Sequence, residues 1–429
     1  MSRPKVLYVC HNHPEVRPGG SEAYALALHS AMRDRGEFDS ILLARTGPPV
    51  STVARYHEGT LFTSVDGDPS QYFMYTDIAD YDWFYMSSRD KELYTRHFRE
   101  FLLAHRPDVV HFQHTMFFGY DVIRMVRNAL PEAAIVYTLH EFVPICHRSG
   151  QMVRAVNNDE LCTHSSPRRC HECFLDIPPQ QFFLRKRFIQ SHLALVDKFV
   201  TPSKFLLERY VEWGLPRPKL LLEENGSPDT RVVTKRSAQK RPRNRLGFFG
   251  QFTPFKGAHV LLHAMKLLAA SGPAAHLWLH GSNLDLQHSE YQQEFNRLVG
   301  ETRDRVTLAG PYQHADLPGL MASVDWVVVP SIWWENSPLV IQEAFFHGRP
   351  VICSDIGGMA EKVTDGVNGL HFRARDAVAL AETIERAVAT NELWEKLRKG
   401  IPNVHRMEAH VETLGRVYKD LLRQKAAAA

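Results

Sequence analysis

The chain has no uncharged apolar run approaching the ~18 residues of a membrane-spanning helix, which excludes a helical channel or carrier. It also lacks a Walker A signature. The lysine of its glycine-flanked loop reads Lys256-Gly257, not Gly-Lys-Ser/Thr, and this excludes a P-loop nucleotidase. Its Gly19-Gly20 pair is not a GxGxxG dinucleotide fingerprint. Charge of one sign is missing too: 51 Lys and Arg against 48 Asp and Glu leave a net +3, with no general electrostatic reason to expect a nucleic-acid partner. Cysteine is sparse, six in 429 residues. The opening Met1-Ser2-Arg3-Pro4-Lys5 leads into a strand too short for the apolar core of a secretory leader. The expectation is a cytoplasmic chain, with peripheral contact on the inner face of the membrane as an option. In that reducing compartment six cysteines do not read as three disulfides.

What is present suits a soluble globular protein, with 44% apolar and 23% charged residues and a length appropriate to two or three domains. The most informative stretch runs from Pro330 to Ala344. A β-branched run, Val327-Val328-Val329, reads as a buried strand feeding into it. Ser337 suits an N-cap and Pro338 the first helical position. The helix should end near His347, with Gly348 past its end. Glu335 then lies in a strand-to-helix loop and Glu343 on the helix. Open α/β sheets bind ligands at that edge, and a helix start offers N–H groups to an anion. Two carboxylates flanking an anion site can each accept hydrogen bonds from hydroxyls. A ligand with a diol, a phosphate and a second diol fits: a nucleotide-sugar.

The chain begins with a strand, Lys5 to Cys10, a loop ending in Gly19-Gly20-Ser21, and a helix from Glu22 to Arg35. This is the first unit of a nucleotide-binding α/β fold, in which two glycines let the backbone approach a ligand. Residues 48–95 read as a long aromatic-rich loop packed on the core, or alternatively as part of a sugar-stacking acceptor surface. Their two DxD patterns, Asp66-Gly67-Asp68 and Asp80-Tyr81-Asp82, are short enough to arise by chance. Strands follow at 108–113 and 134–139, and His140 stands at the C-terminal end of the second.

Cys146, Cys162, Cys170 and Cys173 have the spacing C-x15-C-x7-C-x2-C in an irregular segment. Four thiolates with one CxxC pair are what tetrahedral zinc needs, and a metal would stabilise a segment with little core. An iron–sulfur cluster, or free thiols or a redox pair, are the alternatives, and His147, His164 and His171 are alternate ligands. Cys10 and Cys353 read as buried core residues. The basic run from Phe182 to Ile189 reads as a helix with one buried and one solvated face, or alternatively as a segment lying on an anionic membrane. A polar, basic stretch at 226–243 reads as a linker. A second strand–loop–helix unit follows, Arg245 to Gly250, then Gln251 to Gly257, then a helix from Ala258. Its Lys256 suits a diphosphate. Tyr312 follows a later strand and could lie against a base, and Gly357-Gly358 makes a second glycine turn before a short helix.

Together these motifs resemble the retaining glycosyltransferases of the GT-B fold, specifically glycosyltransferase family four (glycosyl transferases group 1) in a subgroup with a cysteine-rich insertion. The resemblance rests on Glu335-x7-Glu343 with Ser337-Pro338-Leu339, the Gly250–Gly257 loop, Ser354 to Gly358, Gly19-Gly20-Ser21-Glu22 and His140. It implies two Rossmann-like doubly wound domains facing across a cleft. The acceptor domain would span 1–225 with its insertion at 146–173, and the linker 226–243. The nucleotide-sugar domain would span 244–400, and 401–429 would return as a helix to the first. By position, Glu343 would bind the ribose, Lys256 the diphosphate, and Glu335 with Asn336 and Ser337 the donor sugar. Gly250, Gln251, Pro338 and Leu339 would complete the donor site, Gly19 and Gly20 would approach the phosphate, and His140 would sit by the transferred sugar. The implied chemistry is front-face substitution that needs no cofactor, with structural zinc an option. The partners would be a UDP- or GDP-hexose and a glycan or lipid-linked acceptor for cell-surface polysaccharide. One departure stands out: the family usually carries Arg where this chain has Gln251, and this leaves open a nucleotide-sugar-binding scaffold without transfer activity. A nucleic-acid-binding reading of the cysteines and basic linker is disfavoured by the balanced charge.

Overall fold

The computed structural model describes residues 3–17, 19–47, 61–76, 79, 81–156, 160–227, 242–271 and 274–428. Most of the expected linker, 228–241, lies outside these, as do Asp80 and residues 157–159. The chain forms two compact units, Met1–Pro228 with His405–Ala429, and Asp229–Val404.

The first unit is built on strands β1 (Lys5–Cys10), β2 (Asp39–Thr46), β3 (Phe62–Val65) and β4 (Asp68–Tyr75), a small β5/β6 ladder (Tyr81–Asp82, Ser87–Ser88), and β7 (Val109–Phe112), β8 (Ala134–Thr138), β9 (Lys198–Thr201) and β10 (Leu220–Leu222). Its helices include α1 (Gly20–Arg35), α2 (Arg99–His105), α3 (Asp121–Ala129), α4 (Pro167–Cys173), α5 (Pro179–Leu193) and α6 (Lys204–Trp213). The main sheet has the order β10-β9-β8-β7-β1-β2-β4-β3. All its pairs are parallel except β3 with β4. Strands buried on both faces explain the near-continuous apolar runs. One face is covered by α1 and the C-terminal helix (Met407–Ala428), whose Tyr24, Leu28, Leu414 and Tyr418 pack on Val6, Tyr8 and Val136. Tyr418 also anchors that helix by polar contacts, 2.6 Å to His111 Nδ1 and 3.3 Å to the Tyr8 hydroxyl.

The aromatic stretch expected to be a loop contributes two strands of this sheet. Asp66 and Gly67 have φ of 48° and 76° and form the turn between β3 and β4. The Asp68 carboxylate is taken up by Ser70, Gln71 and Arg33. The first DxD is therefore a hairpin turn. The basic run at 182–189 lies within α5, and Arg185 is buried there, donating at 2.7 Å to the carbonyls of Phe84, Pro144 and Val143. Among the described residues no helix is long and apolar enough to cross a membrane.

The second unit contains β11 (Arg245–Phe249), α7 (Ala258–Ser271), β12 (His276–His280), α8 (Ser289–Glu301), β13 (Val306–Gly310), α9 (Leu317–Ser323), β14 (Trp326–Val329), α10 (Leu339–Phe346), β15 (Val351–Ser354), α11 (Gly357–Lys362), β16 (Gly369–Phe372), α12 (Ala377–Ala389) and α13 (Asn391–Lys399). Its wholly parallel sheet has the order β13-β12-β11-β14-β15-β16. This is the doubly wound nucleotide-binding order 3-2-1-4-5-6, and it puts a topological switch point between β11 and β14. Cys10 and Cys353 are fully buried core residues.

Candidate functional site

The loops after β11 and β14 leave neighbouring strands at that switch point. They carry the residues singled out from sequence, and a main-chain hydrogen bond of 2.9 Å from Ile332 N to Phe255 O ties them together. The result is an ion pair that no local pattern foretold. Lys256 Nζ lies 2.7 Å from Glu335 Oε1. The same oxygen accepts from Ser331 Oγ at 2.7 Å and Trp333 Nε1 at 3.1 Å. Glu335 is 5% exposed, so three donors are what make a buried carboxylate tolerable.

The backbone of the Glu335 loop is supported from behind by the turn at Gly357-Gly358. Gly358 N donates to Glu335 O at 2.7 Å. A Cβ at Gly358 would fall 1.7 Å from Asn336 O, so only glycine fits there. This accounts for the Gly-Gly pair as support for the carboxylate loop.

The helix after the loop departs from expectation at its start. It runs Leu339–Phe346 with Pro338 as the cap residue, and no side chain caps it. Ser337 Oγ is buried without a hydrogen-bond partner instead of capping. Its end is as expected, with Gly348 N bonding to Phe345 O. Glu343 projects from α10 close enough to Tyr312 to raise the tyrosine pKa electrostatically, on top of the larger effect of burial. Tyr312 meets Phe249 edge-on at 5.8 Å, and Phe249 stacks on His280 at 4.9 Å. An aromatic wall thus stands beside Glu343. Gln251 is exposed. A guanidinium arrives from elsewhere: Arg375 Nε is 3.4 Å from Ile332 O.

In the first unit the corresponding sheet edge holds more polar groups than expected. Gly19 is the cap residue of α1 and Gly20 its first residue. His140 Nε2 is 3.1 Å from Gln113 Oε1, and its ring meets Tyr24 edge-on at 5.2 Å. Burial, with the charges of His114 and His11, pushes the His140 pKa down to about 3. It is therefore a neutral imidazole at neutral pH. Two further pairs were missed. His11 Nε2 lies 3.0 Å from Glu22 Oε1, His114 Nε2 lies 3.3 Å from Glu141 Oε1, and the two rings are 4.3 Å apart. Burial and the neighbouring His114 lower the His11 pKa. For Glu22 burial is the largest single influence and opposes the charge, but the hydrogen bond and charge of His11, with a backbone N–H and His114, together outweigh it and the pKa falls. The signal was available, because His11 directly follows β1 and His114 lies two residues past β7, the strands at this sheet's own switch point.

Known proteins resemble this chain in sequence and in fold. Residues 18–226 match the family "Glycosyltransferase Family 4" and residues 243–390 match "Glycosyl transferases group 1". The D-inositol 3-phosphate glycosyltransferase of Frankia alni is 24% identical over 405 residues, 91% of this chain and 92% of that one. The lipopolysaccharide 1,2-N-acetylglucosaminetransferase of Salmonella typhimurium is 28% identical over 269 residues, 60% of this chain and 66% of that one. Some other matches span only about half of the relative's own length. Among solved structures, Anabaena HepE in complex with UDP superposes with a TM-score of 0.66 at 16% identity, covering 97% of this chain and 100% of that one. The two family matches and the fold together define a GT-B glycosyltransferase. The chain belongs to the family of group 1 and family 4 glycosyltransferases, with the family 4 domain first and the group 1 domain second.

Proposed function

We propose that this protein transfers a hexose with retention from a UDP- or GDP-sugar to a glycan or lipid-linked acceptor in cell-surface polysaccharide synthesis, without a metal in the reaction. The observation that carries this reading is the buried Glu335 carboxylate paired with Lys256 at the switch point, eight residues before Glu343. A lysine at this place neutralises the diphosphate and stabilises it as a leaving group. Glu335 accepts hydrogen bonds from donor sugar hydroxyls, Glu343 takes the ribose, and Tyr312 lines the base. The leaving phosphate takes the proton of the acceptor hydroxyl, and side-chain cations take the charge-neutralising role that a metal would otherwise fill. Neutral His140 hydrogen-bonds a hydroxyl of the transferred sugar. Arg375 supplies the second positive charge that Gln251 does not.

Names among the relatives support a cell-surface glycan, and the UDP bound to HepE supports a nucleotide donor. The exposed Leu175, Phe183 and Leu184 beside Arg187 support contact with an anionic membrane carrying a lipid-linked acceptor.

A thermal-shift panel of UDP-, GDP- and ADP-sugars tests the donor class. A ligand at a hundred times its Kd stabilises the fold by about 2.7 kcal/mol. Release of nucleoside diphosphate from the stabilising sugar should disappear in Lys256→Ala and Glu335→Ala. Binding without any turnover in the unaltered protein would favour the scaffold reading.

A further inference from the structure

The fold brings Cys146, Cys162, Cys170 and Cys173 to one place, and the donor site makes no use of them. Cys146 ends the turn that follows His140. Cys162 stands beside an isolated antiparallel bridge between Val153 and Leu161. Cys170 and Cys173 lie one turn apart on α4, whose start is capped by Ser166. None of the four is in a disulfide, all are partly buried, and all line a single cavity of about 20 Å³.

We propose that this cavity is a structural zinc site, with the four thiolates as its ligands. Two observations favour a metal over simple packing. First, α4 has no buried residue, and Met152 and Val153 are the buried hydrophobic residues of the described part of 146–173. Packing alone gives this lobe little stability, and a metal cross-link supplies what the core does not. Second, Arg169 lines the cavity and its buried Nε has no hydrogen-bond partner. A tetrathiolate zinc carries net negative charge, and a guanidinium N–H beside it is the outer-shell donor such a site requires.

No three of the sulfurs lie within 4.8 Å of one another. Zn–S bonds of about 2.3 Å hold sulfurs about 3.8 Å apart, so binding draws the thiols inward and fills the cavity. The lobe rests on the turn that carries His140 and Glu141. Gly150, with φ +71°, sits so close that a Cβ would lie 2.8 Å from Val143 N and 2.9 Å from Glu141 Oε2. Zinc therefore braces that turn as well as the lobe.

The test is metal analysis of the full chain purified without chelator, followed by cobalt substitution. About one zinc per chain is expected, along with tetrahedral cobalt d–d bands and a thiolate charge-transfer band. Both bands should vanish in Cys170→Ser/Cys173→Ser. If that variant does not fold, a mercurial titration of the unaltered protein replaces it, and zinc release should track loss of the thiols. Four outcomes overturn the proposal. They are less than about half an equivalent of zinc, iron with acid-labile sulfide, a native disulfide within the cluster, and zinc lost from Glu223→Gln but kept in the cysteine variant. The last would place the metal at Glu223, His405 and His410, which are already joined by hydrogen bonds of 2.9 and 3.0 Å.

Discussion

Lys256 cannot give its full charge to a diphosphate while it is held by Glu335, and this competition can be measured. In Glu335→Gln the shape of the loop is kept, because an amide oxygen can still accept from Ser331 and Trp333, but the charge is gone. The pair is 2.7 Å long, with the Lys256 side chain 34% exposed and that of Glu335 only 7%. Water at the lysine end limits the pair to about 1 kcal/mol. Releasing the lysine should return that amount to the anion and tighten nucleoside diphosphate binding by about fivefold. Transfer should fall in the opposite direction. A hydrogen bond to the sugar that strengthens in the transition state is worth roughly 10²–10³ in kcat. Calorimetric titration with UDP and GDP gives the first quantity, and single-turnover transfer at saturating donor gives the second. Lys256→Met is the control, since it should weaken diphosphate binding and transfer together. If Glu335→Gln weakens the diphosphate by as much as it slows transfer, Glu335 is an ordinary binding residue. The division of labour between the two side chains is then wrong.

Other expectations follow from the same site. Gly358→Ala puts a Cβ 1.7 Å from Asn336 O; the overpacking should cost about 1–3 kcal/mol, read as a lower denaturation midpoint, together with lost transfer. Glu343→Gln should raise the KM for the donor and leave kcat nearly unchanged, while Arg375→Ala should weaken the free diphosphate more than the nucleoside, both measured by steady-state inhibition. Burial lowers the pKa values of His29 and His140 to about 4 and about 3, so between these values and ~6.5 the unfolded chain binds more protons. Their contribution to stability is complete above ~6.5 and falls as the pH drops, by about 1.4 kcal/mol per unit for each histidine. A melting temperature indifferent to pH between 6.5 and 4.5 would contradict this, and His29→Asn should flatten the profile.

The strands of the second unit were legible because a parallel sheet covered on both faces leaves runs such as Val327-Val328-Val329 with no polar alternation. The site loops were legible for a related reason: each follows such a run, and the edge of a doubly wound sheet is where ligands bind. Strands β3 and β4 were not legible. Asp68 to Tyr75 mixes Ser, Gln and aromatics on a strand between β2 and an antiparallel neighbour, so it shows neither the continuous run nor a clean alternation. The helix start was misread because Ser337 has the right chemistry for a cap, yet its hydroxyl is turned into a buried position. Local propensity yielded there to the close packing of Asn336 against Gly358.

The same contrast governs the charges. Lys256 and Glu335 were each recognised in their own loops, but their pairing joins residues 79 positions apart, and only the adjacency of β11 and β14 brings it about. Arg375 is the stronger case. It follows β16, has φ 69° and donates to the carbonyl of Ile332, so a guanidinium from the far end of the sheet meets the loop after β14, and in the proposed function it stands in for the charge absent at Gln251. A missing charge in a motif is therefore weak evidence against activity in a doubly wound domain. Every strand of a parallel sheet ends at the same edge, and a cation from another loop can reach the phosphate that the first loop leaves half-neutralised.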